Sequence, residues 1–178
     1  MTKGKIISLA ALGAILLVLP ITGTVKVYRI PTNQMSPTIE AGDSLLASRI
    51  LNPAKSVKRG DVVIFNPPSA VAKPGTKYVQ RVVAVGGDRI EQKDGQLLVN
   101  GVALPERAGK RSRPAKGFMP GVPAVTYPLV VSKGWIFTLG DNYENSLDSR
   151  YFGPFPVNAV SHSPDGILLP PGRSGRLK

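Results

Sequence analysis

KYVQRVVAVGGDRIEQKDGQLLVNGVAL, residues 77–104, is the stretch on which the fold class turns. It opens with apolar and polar residues in alternation, the period of a strand that buries one face. Gly86-Gly87 breaks that run. The segment DGQLLVNGVAL (94–104) then sets an apolar strand between Asp94-Gly95 and Asn100-Gly101, two dipeptides suited to tight hairpin turns. Antiparallel β-structure is the expectation.

Working outward, the same signals recur. GDVVIFNPP (60–68) reads as a short apolar strand closed by prolines, and GWIFTLGDN (134–142) as a strand ending in a Gly-Asp-Asn turn. Residues 105–128 form a long connection rich in Arg, Lys, Pro and Gly, expected as an exposed excursion. The final SPDGILLPPGRSGRLK (163–178) is expected to be mostly irregular, because its prolines cannot donate to a sheet ladder. With 19 glycines and 17 prolines in 178 residues, turns and short strands are favoured over long helices. No cysteine is present, so neither a disulfide nor a thiolate metal site holds the fold together. No cofactor or metal is expected.

Towards the N-terminus, IISLAALGAILLVLPITGTV (6–25) carries no charge, and its length is what a helix needs to cross a bilayer core. The run is longer than the apolar core of a cleaved signal peptide, and TGT (22–24) would be a poor cleavage site. An uncleaved anchor is the expectation. It divides the chain into a cytoplasmic N-terminus (1–5), a transmembrane segment (6–25) and one outer domain (26–178). Lys3 and Lys5 favour a cytoplasmic N-terminus, although Lys26 and Arg29 beyond the run weaken that bias.

The formal charge is +12, from 23 Lys and Arg against 11 Asp and Glu. Much of the excess lies beside the apolar run, in RAGKRSRPAKG (107–117) and in GRSGRLK (172–178). Neither of those two stretches interleaves aromatics with its basic residues, as single-strand stacking platforms do. Nucleic acid is therefore set aside, and an anionic membrane surface suits the charge better.

Four segments, taken in order, resemble bacterial type I signal peptidases. They are PTNQMSPTI (31–39), RGDVVIF (59–65), YVQRVVAVGGDRI (78–90) and GDNYENSLDSRYFGP (140–154). That family comprises membrane-bound serine proteases that remove signal peptides from exported proteins. The resemblance implies a mainly β, antiparallel-sheet domain on a single N-terminal transmembrane helix. It also implies residence in the bacterial cytoplasmic membrane with the domain on the outer face. The partners it implies are the membrane, signal peptides of exported preproteins and an active signal peptidase relative. The hairpin LLVNGVAL has the look of the family too.

The resemblance also places the site. The family's nucleophilic serine falls on Gln34 and its general-base lysine on Gln80. A carboxamide cannot accept a proton at neutral pH, and its oxygen is a weak nucleophile. Two facing amides could instead satisfy one another by hydrogen bonding. Thr32 matches the position whose hydroxyl helps the oxyanion hole. Ser146, Asp148 and Arg150 match a supporting polar cluster, with Arg81 beside it. Tyr28, Ile30, Pro31, Met35, Ile39, Tyr78 and Val79 fall where the family lines pockets for small side chains. The leading expectation is a member of the fold that has lost its chemistry and kept a peptide groove.

Two alternatives stay open. One is an active peptidase with Ser36 as a substitute nucleophile. For its base, Lys77 stands an odd three residues from Gln80, which on a strand would point it to the opposite face, and His162 lies beyond the quoted motifs. The other is a tethered domain that binds surfaces through its basic loop.

Overall fold

A computed structural model describes residues 24–105 and 124–177. The expected anchor, apart from Thr24 and Val25, and most of the basic excursion lie outside the described residues. Among those described, no helix is long and apolar enough to cross a membrane.

The chain is mainly antiparallel β, in two sheets. The larger runs in the order β1 (Val25–Arg29), β2 (Ser44–Arg49), β11 (Val160–Leu169), β3 (Val62–Phe65), β4 (Tyr78–Val85), β9 (Trp135–Leu139) and β10 (Phe155–Pro156). A short strand, β12 (Gly175–Arg176), adds to β11. The smaller sheet has the order β7 (Val102–Ala103), β6 (Gln96–Val99), β5 (Arg89–Lys93) and β8 (Leu129–Val130).

The segment 77–104 folds as its pattern predicts. β4 ends at the Gly86-Gly87 turn and β5 follows it. Asp94 and Gly95, then Asn100 and Gly101, all hold positive φ, from 50° to 78°. Both central residues of each turn are thus left-handed, the geometry whose twist matches that of the flanking strands. The strand Val62–Phe65 is buried at every residue because it lies in the middle of the sheet, between β11 and β4.

The C-terminal segment departs from expectation. β11 is ten residues long and pairs with both β2 and β3, although Pro164 sits within it. Register shifts between Pro164 and Gly166 absorb the missing donor, since a bulge is a place where a strand tolerates proline. The end of the 105–128 connection also differs. Val125 and Tyr127 pack onto a buried cluster that includes Val83, Ile90, Leu97 and Phe137, which the two sheets contribute jointly.

A smaller cluster bears directly on the site. Ile30, Met35, Ile39, Leu45 and Val62 are buried together where the loop after β1 folds back on the larger sheet. This packing anchors the loop at residues 30–43. The C-terminal turn locks it from outside. Arg173 Nε donates to Asp43 Oδ1 at 3.0 Å, and another of its nitrogens lies 3.2 Å from Glu40 Oε1.

Candidate functional site

Two chain segments make the core of the site, the loop after β1 and the loop 140–148 after β9. They meet closely at Gly140, where a Cβ would collide with the carbonyl of Gln34 and the hydroxyl of Ser146. The backbone amide of Asn142 donates to that same carbonyl at 3.0 Å, and the Asn142 side chain donates to Asn33 O. Glycine at 140 is therefore required for the two loops to come together.

Gln34 and Gln80 converge on one residue between them, Leu147. Gln34 Oε1 accepts from the Leu147 amide at 3.3 Å. Gln80 Nε2 donates to the Leu147 carbonyl at 2.7 Å. The Gln80 oxygen accepts from the Thr138 hydroxyl, also at 2.7 Å. The expected direct pairing of the two amides is thus replaced by a shared backbone partner. Gln80 is wholly buried, while Gln34 is half-buried and reaches Thr32 Oγ1 at 3.4 Å. A buried amide satisfied at both ends costs little, and neither group carries a charge or a mobile proton.

Beneath these glutamines lies a closed ion pair. Asp148 and Arg150 are 0% and 1% exposed. Arg150 Nε and an Nη atom donate to the two oxygens of Asp148, each at 2.8 Å. A further bond runs from Arg150 to Tyr143 O at 2.6 Å. Asp148 also caps the single helical turn Ser149–Phe152 by accepting from the Arg150 amide, and it accepts from Gly140 N at 3.2 Å. The pair two residues apart is therefore a buried brace that holds the 140–148 loop. Arg81 lies near this pair, since Tyr143 feels the charges of Arg81, Asp141, Asp148 and Arg150 together, but it has its own acidic partner. Its guanidinium grips Asp141 through two bonds, at 2.8 and 2.7 Å, and Thr38 donates to the same carboxylate at 2.6 Å. Two ion pairs thus brace the same loop, one at Asp141 and one at Asp148. The hydroxyl of Ser146 is buried, with no hydrogen-bond partner among the described residues.

Above this floor runs a groove of about 290 Å³. One wall is the end of β1 and the residues after it, from Tyr28 to Thr32. The other is the segment Thr76 to Val79, with Gln34 and Met35 at the base. Of the residues expected to line it, Tyr28, Ile30, Pro31, Met35, Tyr78 and Val79 do so. Ile39 does not: it is fully buried in the cluster below, because the loop's return to β2 carries it inward.

Gln80 is not among the groove's lining residues, whereas Lys77, the residue before β4, lines it together with Gln34. Its amine donates to Asn66 Oδ1 at 2.6 Å. Partial desolvation, then the nearby charge of Lys26, push its pKa below the ordinary lysine value. Ser36, the substitute nucleophile, is not among the groove residues.

Two residues of the site had no signal in the motifs. His162, in β11, is buried against Tyr28, with Nδ1 3.1 Å from the tyrosine hydroxyl and the rings edge-on at 5.3 Å. Burial raises the Tyr28 pKa. Arg173 is the second, through its grip on the loop that carries Gln34. Among the described residues, no three His, Asp or Glu side chains gather as a metal site would need.

Residues 4–163 match the family described as signal peptidase, peptidase S26. The chain belongs to the signal peptidase family. That match takes in β11 as far as Ser163, beyond the last of the four motifs, which ends at Pro154. Signal peptidase I V of Bacillus subtilis is 33% identical over 82% of this chain and 88% of its own length. Probable thylakoidal processing peptidase 2 of Arabidopsis thaliana is 30% identical over 74% of this chain. This signal peptidase family member spans only 34% of that plant protein's length, and 55% of probable signal peptidase I-2 of Synechocystis. Among solved structures, a signal peptidase I from Enterococcus faecalis is 31% identical, covering 65% of this chain and 98% of its own, at a TM-score of 0.41.

Proposed function

We propose that this chain is a signal-peptidase-fold protein that holds signal peptides without cutting them, tethered to the bacterial cytoplasmic membrane by residues 6–25. The observation that carries this reading is the tie between Gln34, Gln80 and Leu147. Serine-lysine peptide hydrolysis needs a hydroxyl to attack and an amine to take its proton. At positions 34 and 80 stand two amides, each committed to a backbone group. The buried, unpartnered hydroxyl of Ser146 is further support. Such an orphan is expected where a polar cluster was built around a group that is no longer there.

The groove supports the binding half of the proposal. The ladder of β4 to β9 begins only at Arg81, so Tyr78 and Val79 have a free edge on that side. Among the described residues β1 pairs with β2 alone, which leaves its other edge open. An extended peptide could lie between these edges, taking affinity from main-chain hydrogen bonds and selectivity from pockets, with no need of the dyad.

The test is cleavage of a model preprotein by the full chain in detergent, beside the Gln34→Ser/Gln80→Lys double variant. The unmodified chain is expected to be inert. The double variant should cut at a rate on the order of a thousandfold or more above it. Cleavage by the unmodified chain overturns the reading, and Ser36→Ala then decides whether Ser36 is the nucleophile.

A further inference from the structure

The groove carries charge that its floor does not answer. Arg29 and Lys77 line opposite walls, and Lys26 stands close enough to Lys77 for their charges to interact. No Asp or Glu is among the lining residues. None of the three cations has a carboxylate partner among the described residues. Five other arginines of the domain are paired with acids, Arg59 with Asp88, Arg81 with Asp141, Arg89 with Glu91, Arg150 with Asp148 and Arg173 with Asp43. What sets Arg29 and Lys77 apart from the other unpaired cations is that both line a concave trough. Lys77 spends one of its three N–H donors on Asn66 and keeps the others for a ligand.

Resting on the peptide-groove reading above, we propose that the groove selects extended peptides bearing a carboxylate, which Lys77 and Arg29 clasp from opposite walls. Beside the two cations, the trough offers only neutral polar groups, among them Thr32, Gln34 and Thr76. A carboxylate entering it meets two donors and no repelling acid, so charge complementarity favours it over a neutral or basic residue. Because Lys77 sits just before the free edge at Tyr78 and Val79, it addresses one register of a peptide paired there. The carboxylate can come from an aspartate or glutamate side chain or from the free C-terminus of a cut peptide. An anionic lipid surface is less well served, because a headgroup plane is met by outward-facing charge rather than by cations lining a trough.

The experiment measures anisotropy of labelled alanine-rich peptides on the full chain in nanodiscs of neutral lipid. One set has a blocked C-terminus and carries Asp or Asn at successive positions. A second set is neutral, with either a free or an amidated C-terminus. At one register Asp should bind about three- to tenfold tighter than Asn, and the gain should vanish at high salt. Lys77→Gln should abolish the gain, and Lys77→Glu should turn it into a preference for a lysine-bearing peptide. A gain confined to the free C-terminus sustains the proposal and assigns the carboxylate to a cleaved product.

Equal binding of Asp, Asn, free and amidated peptides overturns the proposal while leaving the groove reading intact. Absence of binding by every peptide overturns both. In a parallel arm with anionic vesicles, Lys77→Gln weakening vesicle capture without changing peptide discrimination would assign the cations to lipid and overturn the proposal.

Discussion

The floor of the site and the rim of the groove, a few side chains apart, are opposite in character. On the floor nearly every polar atom has found a partner within the protein. Gln34 and Gln80 close on Leu147, and Asp148 closes on Arg150. On the rim Arg29 and Lys77 face a trough with no counter-ion. A buried region must satisfy its own polar groups, because water cannot. A region that meets a ligand can leave its charges to be answered from outside. On the function proposed above, the floor serves as a structural support and the rim stays open to a partner.

The comparison breaks most visibly if the floor is not a support. Arg150→Leu leaves the Asp148 carboxylate buried without its partner and should cost about 3–5 kcal/mol of unfolding free energy, read by urea denaturation. A loss near that of a surface pair would mean the brace is solvated. Ile39→Ala marks the boundary between the two regions. As a fully buried residue, it should cost about 2–5 kcal/mol of stability by leaving a cavity. Its effect on peptide affinity should be far smaller than that of Tyr78→Ala, which removes part of a groove wall. The reverse ranking would move Ile39 from the floor to the rim.

The smallest expected effect concerns the clamp at Asp43. Burial alone would raise the pKa of this carboxyl, but the Arg173 guanidinium and the Glu40 amide hold it below its ordinary value of 3.8. A depressed folded pKa contributes stability above the unfolded value, and that contribution is lost as pH falls through the folded one. Arg173→Gln should therefore lower the melting temperature near neutral pH. In acid strong enough to protonate Asp43 it should make little difference. A difference that persists in acid would mean Arg173 acts through packing.

Much of this was legible in the residues. The Asp-Gly and Asn-Gly dipeptides, the Gly86-Gly87 break and the apolar VVIF run each declare their structure locally, through φ preference and periodicity. Pro164 misled in the other direction: a missing donor argues against a strand, and only the register of β11 against β2 reveals the bulge that accommodates it. The site divided in the same way. Motif order placed Gln34 and Gln80, but not the residue they share, since hydrogen-bond partners more than sixty residues apart leave no trace in spacing. Ile39 was misplaced because a motif aligns positions along the chain and is silent about which way each side chain turns.

By itself, then, the sequence determined the β class, the turns, the presence of two carboxamides at positions 34 and 80, and the excess of positive charge. These depend on residue chemistry and near neighbours alone. Only the tertiary structure decided that two glutamines meet at Leu147, that Asp148 and Arg150 are sealed from water, and that Arg173 reaches back to Asp43. It alone set Arg29 and Lys77 across one groove. Each of those outcomes pairs residues distant along the chain, and burial, which sets how strongly charges and hydrogen bonds count, belongs to the fold rather than to any local stretch.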